Sequence, residues 1–437
     1  MHKPYGGAVS LEASPRLGRI HLAPGAARRN VYAYLYAAFF SICLLAFLSF
    51  IQPYTLNVML GIPEHLQGRA TLALGATNEL ITLLLIGPFG ALSDKIGRRA
   101  VYVLGFLWIG AGFAIIPLSS SFAELLLTTM FWAVGAAAIG AMLATVLADL
   151  PLERSRGALV GLTGICQGLG VLLGIFVLSR LPRMFAAQGM DAIAAGRLTY
   201  WTATALCLVT AFVCFIGLQR RPPVKQAGHV TLRHLLREGY GAATRNRRIV
   251  LAYCVNFIAR ADLAIIGTYF SLRLTQAGIE SGLTAPDAIA NAGRIYGVAQ
   301  FAALLSAVFF LFYADRLNRV VVVILAMGLA AVGYVWVGVT DPLAPMIYAA
   351  AVMMGVGELS AILSGQLLLG QEAPLHIRGS VFGLAGVFGS VGTLFANLVC
   401  GQLYDLWSKS APFIVIGLCN LLVLAFGIYV YRRAGTV

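Results

Sequence analysis

Gly90-Ala91-Leu92-Ser93-Asp94-Lys95-Ile96-Gly97-Arg98-Arg99 stands between two long apolar runs, and Ala314-Asp315-Arg316-Leu317-Asn318-Arg319 stands between two more in the second half of the chain. Asp94 aligns with Asp315, and Arg98 with Arg319, at one common offset. A second pair repeats at nearly the same offset: Asp149-Leu150-Pro151 leads to Arg156-Gly157, and Glu372-Ala373-Pro374 leads to Arg378-Gly379. Two matches in equivalent loops mark an internal duplication.

The apolar runs around these loops are long enough to cross a bilayer, which takes about 20 residues per helix. They fall near 31–51, 70–92, 99–117, 123–148, 157–179 and 198–218, then near 249–272, 293–313, 320–339, 343–369, 379–400 and 411–431. The composition agrees, since 59% of residues are hydrophobic and only 11% charged. Soluble domains carry about a quarter charged residues. With so little charge, lipid must be the solvent for most of the surface. The fold class expected is an all-α membrane protein of twelve helices in two pseudo-symmetric six-helix bundles.

The net charge of +14 raises the question of nucleic acid. Lys and Arg instead sit in short clusters, concentrated on the N-terminal tail and on loops of the same parity. That asymmetry places both termini in the cytoplasm and leaves no nucleic-acid partner. Residues 1–30 are polar, basic and rich in Gly and Pro, and read as a disordered cytoplasmic tail with no removable signal peptide. The bundles occupy 31–218 and 249–433, joined by a basic linker, 219–248. Within that linker, 231–243 suits either a short helix at the lipid headgroups or a solvated connection. The seven cysteines lie within spans at irregular spacing, so neither a disulfide framework nor a metal site is expected. No Asn-X-Ser/Thr acceptor occurs, in keeping with a bacterial inner membrane.

The first motif loop resembles the G-x-L-x-D-x-x-G-R-R/K loop between the second and third helices of the major facilitator superfamily, and the resemblance extends over about 31–433. It implies twelve helices, a small-molecule solute, lipid surroundings, no cofactor beyond a coupling proton, and a monomer. Gly90 and Gly97 permit close approach and a tight turn. Asp94 is expected near the positive end of the eleventh span, and Arg98 beside Asp149. Asp315 and Arg319 repeat this toward the fifth span and Glu372. The resemblance implies that Gly90, Asp94, Gly97, Arg98, Arg99, Asp149, Arg156, Asp315, Arg319, Glu372 and Arg378 close the cytoplasmic side and release it on opening.

Two departures speak against drug–proton antiport. Phe131 stands where many proton-coupled members carry an Arg, four residues before Gly135. Gly161, Gly170 and Gly174 fit the antiporter pattern of the fifth span, but Ile175, Leu178 and Ser179 replace its Pro and last two Gly.

Four charged residues lie deep in spans: Glu79, Arg260, Asp262 and Glu358. Such residues are costly in lipid and mark a pathway or a partner. At 1.5 Å per residue they all stand about 18–22 Å from the cytoplasmic ends of their helices, in one layer. Solute sites lie near that depth. Glu358 shares a face with Met354, Ala361 and Gly365, and is assigned cation binding or reversible protonation, with a structural pair to Arg260 as the alternative. Asn256 and Arg260 form one polar stripe of the seventh span, Asp262 and Tyr269 another; one meets the cavity and the other a neighbouring helix. Glu79 aligns with Gln300 across the repeat, and Gln167 lies at similar depth. The expected substrate-binding residues are Glu358, Arg260, Asp262, Asn256 and Gln167, and the proton-coupling ones Glu358, Asp262 and Glu79.

Three acids against one Arg favour a cationic or zwitterionic solute, moved by alternating access and coupled to protons. Alternatives are an uncoupled facilitator and an organic-anion carrier using Arg260. An enzyme or sensor is disfavoured, because no P-loop, H-E-x-x-H or G-x-S-x-G occurs and the six histidines are scattered.

Overall fold

The computed structural model describes residues 16–17, 20–23, 25–152, 156–219, 232–314, 317–374 and 377–434. Asp315 and the side chains of Asp94, Arg156 and Arg378 lie outside the described residues.

Apart from a two-residue hairpin pairing Arg16–Leu17 with Ile20–His21, the described elements are helical. The first half comprises α1 Arg28–Tyr54, α2 Glu64–Ile96, α3 Arg98–Ile115, α4 Phe122–Asp149, α5 Arg156–Phe176, the short α6 Leu181–Ala187, and α7 Ala192–Gly217. The linker forms α8 Leu232–Arg245. The second half comprises α9 Arg247–Ala264, α10 Ser271–Glu280, α11 Ala285–Ala314, α12 Arg319–Val339, α13 Met346–Glu372, α14 Arg378–Leu406 and α15 Ala411–Ala434. Eleven helices among the described residues are long and apolar enough to cross a membrane. They coincide with eleven of the twelve expected spans. The remaining one, near 293–313, falls on the 30-residue α11.

Local chemistry sets the helix ends. Gly97 adopts φ 96°, a left-handed turn that lets α3 start one residue after α2 stops. Asn246 and Asn318 cap α9 and α12 by accepting the amides of Arg248 and Val320, each at 2.9 Å. The first span of each half carries a π-helical stretch, Thr55–Met59 after Pro53 in α1 and Ile265–Phe270 between α9 and α10. Pro53 stands within α1 two residues before the first of these.

Of the tail expected to be disordered up to residue 30, residues 20–23 and 25–27 are described, and they pack on the first half. Ala23 donates its amide to the Leu150 carbonyl at 2.9 Å, and Leu152 donates to His21 at 2.9 Å. Ile20, Leu22 and Ala26 are buried. The physical reason is that the α4–α5 loop offers free backbone groups, and apolar side chains at 20, 22 and 26 cover the bundle beside it. Residues 20–23 with Gly25 and Ala26 are thus a strap on the first half.

The two halves meet chiefly through α2 with α14 and α5 with α11. Below, the end of the bundle at which α1 begins is the tail side, and the opposite end the far side. The halves touch on the far side and diverge toward the tail side. One apolar core joins the first half to the far-side portions of α9–α15, whereas the tail-side portion of the second half has a separate core. Close approaches agree. A Cβ on Gly68 would meet Asp405, one on Gly75 would meet Asn397, and one on Gly297 would meet Phe176. Toward the tail side, Gly87 and Gly90 of α2, Gly164 of α5 and Gly386 of α14 have nothing among the described residues within 4 Å of such an atom. Among the described residues nothing approaches Gly90 that closely, and that end of α2 borders the open cleft.

Candidate solute site between the halves

The charged residues deep in the spans separate into two sets. Arg260 of α9 reaches Glu79 of α2, Nη2 to Oε1 3.8 Å, across the boundary between the halves. Its side chain is 47% exposed and that of Glu79 only 13%, so the pair sits where the tail-side cleft ends. Arg260 also packs on Gly389 of α14, where a Cβ would come within 2.8 Å of its Cγ. Asn256, one turn earlier, is half-buried and donates to the Ala252 carbonyl at 2.8 Å. Arg260 of that stripe therefore faces the boundary between the halves, and Asn256 lies beside Gly365 of α13.

Asp262 turns the other way. It is fully buried, and its Oδ1 accepts from Asn420 of α15 at 2.9 Å. The Tyr334 hydroxyl of α12 donates to its backbone carbonyl at 2.7 Å. Its other oxygen, Oδ2, and Oδ1 of Asn420 are both buried without a described partner. This stripe meets neighbouring helices, which answers the question the sequence left open. Two residues apart on a helix, Arg260 and Asp262 point to different faces.

Glu358 of α13 is 3% exposed, and its described hydrogen bond comes from Gln300 of α11 at 3.5 Å. Its partner is thus the repeat equivalent of Glu79, not Arg260. The face it shares with Met354, Ala361 and Gly365 is packed: Gly333 abuts the Met354 backbone, and Gly365 abuts Val255 and Asn256. Glu358 stands behind the cleft, reached from it through the half-buried Gln300. Gln167 of α5 is half-buried beside Gly168, which packs on Leu304 of α11.

The loop residues expected to gate divide similarly. Arg98 pairs with Asp149, Nε to Oδ2 2.9 Å, and its Nη1 bonds Ser93, which itself donates to the Gly90 carbonyl at 2.6 Å. Arg99 stacks on the Phe215 ring at 4.1 Å. In the second half Glu372 takes Arg248 at 3.0 Å and the Asn246 amide at 2.8 Å, while Arg319 lines a cavity with both Arg248 and Glu372. These described ion pairs stay within one half, as suits a tail side that is open.

The sequence reading missed a far-side set that joins the halves. Asp405 of α14 accepts the amides of Gly68 at 2.9 Å and Arg69 at 2.6 Å. Lys409 bridges Glu64 of α2 and Glu280 of α10, the latter at 2.7 Å. Arg183 of α6 meets Asp287 of α11 at 2.6 Å. Gln276 donates to Gln67 at 2.9 Å and accepts from Tyr404 at 2.6 Å. These residues sit at span ends and repeat at no common offset, so no pattern announced them. Arg273 was also missed. It is 5% exposed, and donates to the carbonyls of Val337 at 2.6 Å and Thr340 at 2.9 Å and to Ser410 at 3.1 Å. It neutralises the C-terminal end of α12.

Comparison with known proteins fits this geometry. The magnetosome protein MamZ of Magnetospirillum gryphiswaldense is 26% identical over 86% of this chain, which spans 58% of that protein's length. The magnetosome protein MamH of Paramagnetospirillum magneticum is 26% identical over 88% of each chain. Among solved structures, a mutant of the nucleoside transporter NupG superposes with a TM-score of 0.73, covering 92% of this chain and 99% of that one at 13% identity. A bacterial homologue of the human lysosomal transporter Spinster, inward-facing and unoccupied, gives 0.70 over 93% and 98% at 13% identity. The family model for the Major Facilitator Superfamily matches residues 34–340 and 288–436. With that match across both halves, and with these helices and this boundary, the chain belongs to the Major Facilitator Superfamily.

Proposed function

We propose that the protein is a secondary transporter that moves a small organic solute by alternating access, with its tail side in the cytoplasm of a bacterium. Family membership supports a transporter rather than an enzyme. The single observation that carries the reading is the Glu79–Arg260 pair, the charged contact between halves at the closed end of the cleft. On this reading a solute entering from the tail side meets Arg260, paired with Glu79, with Asn256 and Gln167 as the further residues proposed to bind it.

The charge count favours a cationic or zwitterionic solute. Glu79 offsets Arg260, and Glu358 adds a carboxyl whose described partner is a neutral amide. A zwitterion satisfies both ends, its carboxylate at Arg260 and its ammonium toward Glu79 and Glu358. Glu358 is the group proposed to carry a coupling proton, because a buried carboxyl changes charge with its surroundings. Asp262 holds α9 to α15 and α12, and its part in coupling is indirect. The excess of Lys and Arg on the tail-side loops supports the orientation.

The test is a screen of small solutes for thermal stabilisation of the purified protein, wild type against Glu358→Gln and Arg260→Gln at two pH values. A ligand that binds only the folded state raises apparent stability. Expected is a cationic or zwitterionic hit that weakens in both variants and depends on pH in the wild type. Hits confined to anions that vanish with Arg260→Gln alone overturn the substrate class, and hits indifferent to both variants overturn the site.

A further inference from the structure

A cavity of about 570 Å³ lies outside the solute cleft, on the tail side of the second half. Its walls come from α8, the start of α9 and the α13–α14 loop, and include Arg237, Glu238, Arg245, Asn246 and Glu372. The two acids are already engaged. Glu238 accepts from Ser380 of α14 at 2.7 Å, and Glu372 takes Arg248 and Asn246. Arg237 and Arg245 are exposed, and neither has a described hydrogen bond or ion pair. The cavity thus presents two uncommitted guanidinium groups beside carboxylates that are occupied elsewhere.

Its depth is set by α9. That helix opens the membrane span Arg247–Glu280, so the cavity sits at the rim of the apolar layer. Helix α8 is held there by packing. Gly239 abuts Leu384 and Ser380 of α14, the Tyr253 hydroxyl donates to the Gly239 carbonyl at 3.2 Å, and Ala242 and Ala243 are buried. Tyr240 points away from that contact and is 69% exposed, an aromatic at headgroup level. A guanidinium offers a planar fork of donors that matches phosphate oxygens. Basic pockets between spans at a membrane surface suit anionic headgroups.

We infer that this cavity binds the phosphate of an anionic phospholipid from the tail-side leaflet, with Arg237 and Arg245 as its ligands. The lipid bridges α8 to the start of α9 and the α13–α14 loop, and so fixes the linker helix against α14 at the mouth of the open cleft. Lipid rather than free phosphate is the occupant because the cavity lies where α9 opens its membrane span, under a helix α8 whose Tyr240 is 69% exposed. It is independent of the transported solute, since none of the cleft residues lines it.

The test is native mass spectrometry of the purified full chain, titrated with phosphatidylglycerol or phosphatidylcholine, with and without millimolar inorganic phosphate. The variant is Arg237→Gln with Arg245→Gln. The control is Arg28→Gln with Arg29→Gln, exposed arginines of the same side that remove as much charge from the other half. Expected is one tightly retained phosphatidylglycerol, weakened about fivefold by each cavity substitution and about thirtyfold by both, and unchanged in the control. Equal loss in the control makes the effect one of net charge and overturns the site, as does equal retention of phosphatidylcholine. Full competition by inorganic phosphate overturns the lipid as occupant. Lipid-free melting temperatures of variant and wild type are expected to agree, and a large drop in the variant shows that the arginines act on folding instead.

Discussion

Asp405, at the far end of α14, accepts the backbone amide of Gly68 in α2 at 2.9 Å, so a side chain of the second half closes on the main chain of the first. The bond forms only because Gly68 has no side chain: a Cβ there would lie 2.3 Å from the Asp405 carboxylate. A hydrogen bond to a charged group contributes about 1.5–3 kcal/mol. Asp405→Asn and Gly68→Ala are therefore expected to shift the protein toward a far-open state by about tenfold or more. Labelling of engineered far-side positions by membrane-impermeant reagents checks this. Unchanged labelling in both variants would show that Lys409, Arg183 and Gln276 hold the far side without Asp405.

How much of this was legible beforehand follows from what a sequence repeats. Gly97 and the Arg98–Asp149 pair could be read from the motif loop of the first half, where the structure has a left-handed turn and a 2.9 Å ion pair. The common layer expected for Glu79, Arg260, Asp262 and Glu358 rests on helical rise, which converts position into depth. Rotation about each helix could not. Whether Arg260 or Asp262 faces the cleft depends on how α9 leans on α14, α12 and α15, which no local spacing encodes. The Asp405, Lys409 and Arg183 contacts were hidden because they join span ends far apart in sequence, and the packing of residues 20–23 because its partner is the distant α4–α5 loop.

Glu79 and Arg260 are expected to act asymmetrically on specificity. Glu79→Gln leaves Arg260 as an uncompensated cation at the end of the cleft and shifts hits in the thermal screen toward anions. Arg260→Gln leaves the carboxyls of Glu79 and Glu358 and shifts them toward cations. If both substitutions weaken every hit alike, the pair is a structural contact between the halves.

Asp262 and Asn420 are expected to govern stability more than specificity. Removing one partner strands buried polar atoms, at a cost of about 1–3 kcal/mol. Asp262→Ala and Asn420→Ala should each lower the melting temperature, while Asp262→Leu with Asn420→Leu should recover much of the loss, because no buried polar group is left unpaired. A double variant as unstable as the sum of the single ones would argue that the pair contributes through more than mutual satisfaction.

Arg273→Met is expected to destabilise the second half by about 3 kcal/mol, since the carbonyls of Val337 and Thr340 lose a charged donor within an apolar surround. Lysine at the same position should recover only part of this, having no planar fork to span both carbonyls and Ser410. Thermal unfolding followed by intrinsic fluorescence distinguishes the two.

The most direct measurement of alternating access is a pair of spin-label distances, with labels carried on non-natural amino acids so that the native cysteines stay in place. Gly87 and Gly386 report the tail side, where a side chain on either has nothing among the described residues within 4 Å. Met190 and Trp407 are exposed and report the far side. In Asp405→Asn, or on adding a stabilising solute, the tail-side distance should shorten in a new population as the far-side distance lengthens. Distances that never move, or that lengthen together, would contradict a transporter that closes one side as it opens the other.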